Sequence, residues 1–118
     1  MSFDSILEGK PQPIQRLAMQ LKGLALHTDK LIQEHIYGDK SKVALYSLGK
    51  QDRVLFGIQP REHYCILYLH YTENADTMNL KIEGDGKQAK HIKLTELTPE
   101  TEAEIKQVMK NILRASKN

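Results

Sequence analysis

Three runs of apolar, β-branched and aromatic residues crowd the middle of the chain at 43–48, 54–59 and 64–71, and they restrict the fold more than any other feature. They are separated by Gly49-Lys50-Gln51-Asp52 and by Pro60-Arg61-Glu62, in gaps of no more than five residues. Connections this short have no room for a crossover helix, so consecutive runs must pair antiparallel as a meander. In the third run Cys65, Leu67, Leu69 and Tyr71 share one face, while Tyr64, Ile66, Tyr68 and His70 share the other. Neither set is polar, which predicts a central strand covered at least in part on both sides.

The flanks change period. Pro11 and Pro13 precede a pattern in which Ile14, Leu17, Ala18, Leu21, Leu24, Ala25, Leu31, Ile32 and His35 recur at helical spacing. It predicts one long amphipathic helix from about residue 12 to about residue 36, stopped by Gly38. Met19 and Leu26 point away from that stripe and make a small second apolar spot. Residues 72–77 read as a polar loop, and residues 78–83 fit a short strand or one helical turn. Residues 91–95 alternate as a fourth strand. Thr98-Pro99-Glu100 then supplies a hydroxyl cap, a first-turn proline and an acid, opening a last helix with Ile105, Val108, Met109, Ile112 and Leu113 on its buried face and an end near Ser116. Helix, antiparallel strands and helix predict an α+β fold: a single domain over 1–118, with a sheet of about four to five strands and the N- and C-terminal helices packed on it.

A chain of 118 residues with 40% apolar and 27% charged side chains has the length and composition of one globular core. A net charge of +2 is far below the basic excess of a dedicated nucleic-acid binder, so no nucleic-acid partner is expected. No apolar run approaches the ~20 residues that span a bilayer, so no membrane partner is expected either. The single cysteine, Cys65, cannot form an intramolecular disulfide, and the first eight residues carry acids in place of a basic, apolar leader. Both facts fit a cytoplasmic location.

Chemical motifs are sparse. Gly84-Asp85-Gly86-Lys87 invites a phosphate-loop reading, but the spacing is G-x-G-K, no Ser or Thr follows, and the next element is a strand. A turn needing positive φ at Asp85-Gly86 accounts for the glycines, and Lys87, Lys90, His91 and Lys93 form a local basic cluster able to hold a carboxylate or phosphate. The five histidines show no H-x-x-x-H pair, and no C-x-x-C is present. His63 and Cys65 share strand parity, and His35 falls on the apolar side of the first helix, as a hydrogen-bonded core residue or a partner of the helix C-terminal dipole. Glu96, Glu100 and Glu104 could form an acidic ridge at the start of the last helix, where the helix dipole also favours acids. Ser41, Ser47 and Thr95 lie in no G-x-S-x-G elbow, and Cys65 sits inside an apolar strand. Tyr37, Tyr46, Tyr64, Tyr68 and Tyr71 are numerous for a chain without tryptophan.

Three segments together resemble one family. Ile36-Tyr37-Gly38-Asp39-Lys40, then Ala44-Leu45-Tyr46-Ser47-Leu48-Gly49 leading to Phe56-Gly57-Ile58-Gln59-Pro60, and finally Glu83-Gly84-Asp85-Gly86-Lys87 with His91-Ile92-Lys93-Leu94 are similar, in order and spacing, to the YdhG-like superfamily of small bacterial proteins. The resemblance implies an α+β domain with helices against an antiparallel sheet. Some members are described as frataxin-like intracellular iron chaperones, which implies an acidic surface, here Glu96, Glu100 and Glu104 in a net basic chain.

The expected function is a non-enzymatic binding or interaction module with no cofactor, taking a small anionic ligand or a protein, with a weak homodimer as a further possibility. Its expected surface joins Tyr37, Gly38 and Tyr46 to Gly84, Gly86, Lys87, His91 and Lys93. The alternatives are an iron chaperone using the three glutamates, and a small hydrolase or transferase in which a histidine such as His70 or His91 reaches a nucleophile.

Overall fold

The computed structural model describes residues 2–38, 40–49, 53–84 and 89–117. Among the described residues the order is α1 (Phe3–Leu7), α2 (Gln12–His27), β1 (Ile32–Tyr37), β2 (Val43–Leu48), β3 (Val54–Pro60), β4 (Cys65–His70), a short 3-10 turn (Thr72–Asn74), β5 (Ala89–Leu94) and α3 (Pro99–Ser116). The strands form an antiparallel sheet in the order β1-β2-β3-β4-β5. The α+β architecture with helices against one antiparallel sheet is as the sequence pattern predicts.

The long first helix is shorter than its apolar spacing suggests. Pro13 sits in the first turn of α2, and Ile14, Leu17, Ala18, Leu21 and Ala25 are its buried face. The helix stops at His27 because Thr28 turns back on it, the Thr28 hydroxyl donating to the Leu24 carbonyl at 2.9 Å. Asp29 then accepts from the Leu31 amide at 2.8 Å, an Asx turn that redirects the chain. Residues 32–37 run as β1, correcting the helix expected to about residue 36. Ile32 and Ile36 are four apart, a spacing that fits one helix face and one strand face alike. The unpredicted α1 buries Phe3, Ile6 and Leu7.

β2 and β3 are joined through a bulge between Tyr46 and Ser47 in the register, where Tyr46 faces Phe56, Ser47 faces Val54, and Leu55 is the extra residue. Residues 78–83 form neither a strand nor a helical turn. Met78 has a left-handed φ of 54°, and its amide donates to the Asp76 carboxylate at 2.8 Å. Only Glu83 pairs with β5, exchanging two backbone hydrogen bonds with His91 at 2.8 and 2.9 Å. Tyr71, expected to extend β4, ends it in a left-handed conformation with φ 57°. α3 starts as the cap sequence predicts: the Thr98 hydroxyl accepts from the Thr101 amide at 3.1 Å, and Pro99 is the first helical residue.

The helices cover one face of the sheet. Ala44, Tyr46, Phe56, Ile58, Cys65, Leu67, Leu69 and Ile92 share that face by register and pack into one core with α1, α2 and α3. Leu26, expected to point outward with Met19, is half-buried against this core, whereas Met19 is 48% exposed.

Candidate functional site

Antiparallel register places alternate residues of every strand on the face away from the helices. One row crosses the whole sheet there: His35 faces Leu45, Leu45 faces Gly57, Gly57 faces Tyr68, Tyr68 faces His91, and His91 bridges to Glu83. Gly57 is the low point of the row. A Cβ at this position would lie 3.1 Å from Leu45 Cδ2 and 3.3 Å from Tyr68 Cβ, so glycine is what lets both neighbours close over the strand. The Tyr68 hydroxyl donates to Gln59 Oε1 at 2.9 Å, and the Gln59 amide nitrogen donates to the Ser41 carbonyl. These bonds hold the ring down and level the surface.

The two sides of this face differ in chemistry. On the β1 side His35 Nε2 lies 3.1 Å from Ser47 Oγ. On the β5 side the Tyr68 and His91 rings are 6.0 Å apart at 55°, His91 Nε2 lies 3.7 Å from Glu83 Oε2, and Lys93 Nζ stands 5.3 Å from the centre of the Tyr64 ring. His70, also on this face by alternation, is half-buried, and that desolvation lowers its pKa below the ordinary 6.5. It is therefore neutral at physiological pH.

The surface expected from sequence is brought together only in part. Tyr37, His91 and Lys93 do share the uncovered face, but β1 and β5 are opposite edges of the sheet, four strand spacings or roughly 19 Å apart. Tyr46 is a correction: it is fully buried on the helix face, where its hydroxyl donates to Glu34 Oε2 at 2.7 Å. Burial, then that bond and the charge of Glu34, push its pKa far up. Lys22 on α2 closes the arrangement, 3.4 Å from the same carboxylate. Gly38 is half-buried just past β1. Gly84 has φ +113°, and a Cβ there would sit 3.3 Å from His91 Nδ1, so both its left-handed backbone and the close approach of His91 favour glycine. Gly86 and Lys87, with the turn expected at Asp85-Gly86, lie outside the described residues.

Among the described residues no three His, Cys, Asp or Glu side chains gather closely enough to hold a metal, and Glu96, Glu100 and Glu104 are no exception. Glu96 lies between β5 and α3 and outside both, so it is not on the helical spacing of the other two. Cys65 is fully buried, its thiol directed at the Ile14 carbonyl 3.7 Å away, and burial pushes its pKa up to about 11.

Sequence reasoning missed His35 with Ser47, Gly57, and Gln59 with Tyr68. The first pair has the reach of a base and a nucleophile, but it involves neither His70 nor His91, and Ser47 is 0% exposed, which leaves no approach for a substrate carbonyl. Its signal existed in the sequence only for a reader who had already made 32–37 a strand. Among the described residues no helix is long and apolar enough to cross a membrane. The chain matches no family model, no curated protein and no solved structure.

Proposed function

We propose that the chain is a non-enzymatic binding module of the YdhG-like kind, that its working surface is the sheet face opposite the helices, and that its partner is an acidic protein surface. The observation carrying this reading is the one-sided packing of the helices, which leaves a levelled face bearing Tyr37, Tyr64, Tyr68, His35, His91 and Lys93. Tyrosines offer contact area and a polar tip at a small cost in side-chain entropy, which is why they recur in protein interfaces. Lys93 gives the face a cation and the imidazoles add hydrogen-bonding nitrogens for an acidic partner, and a flat, hydrogen-bonded sheet needs little rearrangement to dock.

The test is titration of the isotope-labelled protein with an acidic helical peptide and its charge-reversed counterpart. Amide shifts are expected on β3, β4 and β5 around Gly57, Tyr68 and Lys93, with the acidic peptide binding at least tenfold tighter. The double variant Tyr64→Ala, Lys93→Glu should lose at least tenfold in affinity. Equal binding of both peptides, or shifts confined to α2 and α3, would sink the proposal.

A further inference from the structure

A second feature lies on the other side of the molecule. α2 and α3 run beside a groove of about 640 Å3. That volume falls within the range of small-molecule sites. Met19, Gly23, Leu24 and His27 line it from α2, and Lys106 and Lys110 line it from α3. The eight helical rises from Met19 to His27 give that wall a length of about 12 Å.

Gly23 is the residue that calls for an occupant. It stands in the interior of α2, where glycine costs roughly 1 kcal/mol of helix stability relative to alanine. Its φ is ordinary, so no backbone demand excludes a side chain, and a Cβ built there meets nothing within 4 Å. Its missing side chain deepens the groove midway along its length. Lys106 and Lys110, one turn apart, are exposed, and neither makes an ion pair among the described residues. Glu102 lines the groove on the same helix one turn before Lys106. The two ammonium groups outweigh its charge, and His27 adds a donor from the opposite wall.

From the apolar floor at Met19, Gly23 and Leu24 and the cationic wall at Lys106 and Lys110, we infer that the α2–α3 groove binds an amphipathic anion, a carboxylate carried on an extended apolar body. The body lies along the floor and the carboxylate takes the lysines. This site is separate from the sheet face and does not rest on the function proposed for it.

Calorimetric titration with decanoate below its micellar concentration tests the inference, with decanol and acetate as the two halves of the ligand. Decanoate is expected to bind at least tenfold tighter than either, and its affinity should fall as salt rises. Gly23→Leu, which projects into open space, should leave thermal unfolding unimpaired and cut decanoate affinity at least tenfold. Lys106→Gln with Lys110→Gln should do the same without touching the floor, and it stands as the test should Gly23→Leu fold poorly. Equal binding of decanoate and decanol, unchanged affinity in the double lysine variant, or amide shifts that map to the sheet face would overturn the proposal.

Discussion

The two faces of the sheet reach similar burial by different means. On the helix side, Phe56, Ile58, Leu67 and Leu69 are covered because α1, α2 and α3 stand on them. On the other side, Ser47 and Gln59 are nearly as buried although no helix among the described residues packs there: His35 sits beside Ser47, and Tyr68 bonds Gln59 as it closes over Gly57. One face is filled by volume and the other is tiled by side chains lying on their cross-strand neighbours. The comparison teaches that a sheet face left without a layer can still be made level and rigid, provided its polar groups bond one another.

Substitutions can break this contrast in descending order of effect. Phe56→Ala opens a cavity under the helices and should cost about 3–5 kcal/mol in denaturant unfolding. A loss below about 1 kcal/mol would mean that the helix layer collapses onto the sheet freely. Gly57→Val pushes against Leu45 and Tyr68 and should cost about 1–3 kcal/mol, with the Tyr68 ring resonances shifting in NMR spectra. An unchanged stability would show that the tiled face yields easily. Tyr68→Phe keeps the ring and deletes only the bond to Gln59, for which about 1 kcal/mol is expected.

The smallest effect is a pH dependence. The folded pKa of His70 lies below its unfolded value of 6.5, so the unfolded chain takes up the proton first. The stability linked to a neutral His70 is fully present above pH 6.5 and is lost as pH falls through that value toward the folded pKa. Unfolding followed between pH 8 and pH 5 should show a shallower slope in His70→Gln than in the unaltered chain. Identical slopes would assign the dependence to other groups.

Much of the architecture was legible because several signals agreed at one place. Thr98-Pro99-Glu100 combined a cap, a ring and an acid, and α3 begins there. β2 kept both of its expected ends. β1 was hidden because its apolar pair, Ile32 and Ile36, satisfies two periods at once, and the deciding signal was the small polar turn at Thr28-Asp29. That one error displaced part of the site. With β1 taken for helix, His35 had no route to Ser47 and Tyr37 no sheet to stand on. Tyr46 was drawn to the surface by its place in a motif, because Val43, Leu45 and Ser47 are scarcely more polar than Ala44, Tyr46 and Leu48, so alternation on β2 did not say which set faces the helices. The tiling at Gly57 is a cross-strand contact and depends on a register that spacing alone does not set.

The strand order has a kinetic consequence. Each strand hydrogen-bonds to the one next to it in the chain, so β1 to β4 can be laid down hairpin by hairpin, each closing a short loop, while β5 joins β4 across the longer segment 71–88. The helix layer is the opposite case: the Thr28 hydroxyl meets the Met109 sulfur across 81 positions, and the Cys65 thiol meets Ile14 across 51. Zipping before closure therefore predicts larger φ-values for residues of the β3–β4 pair than for Val108 or Ile112.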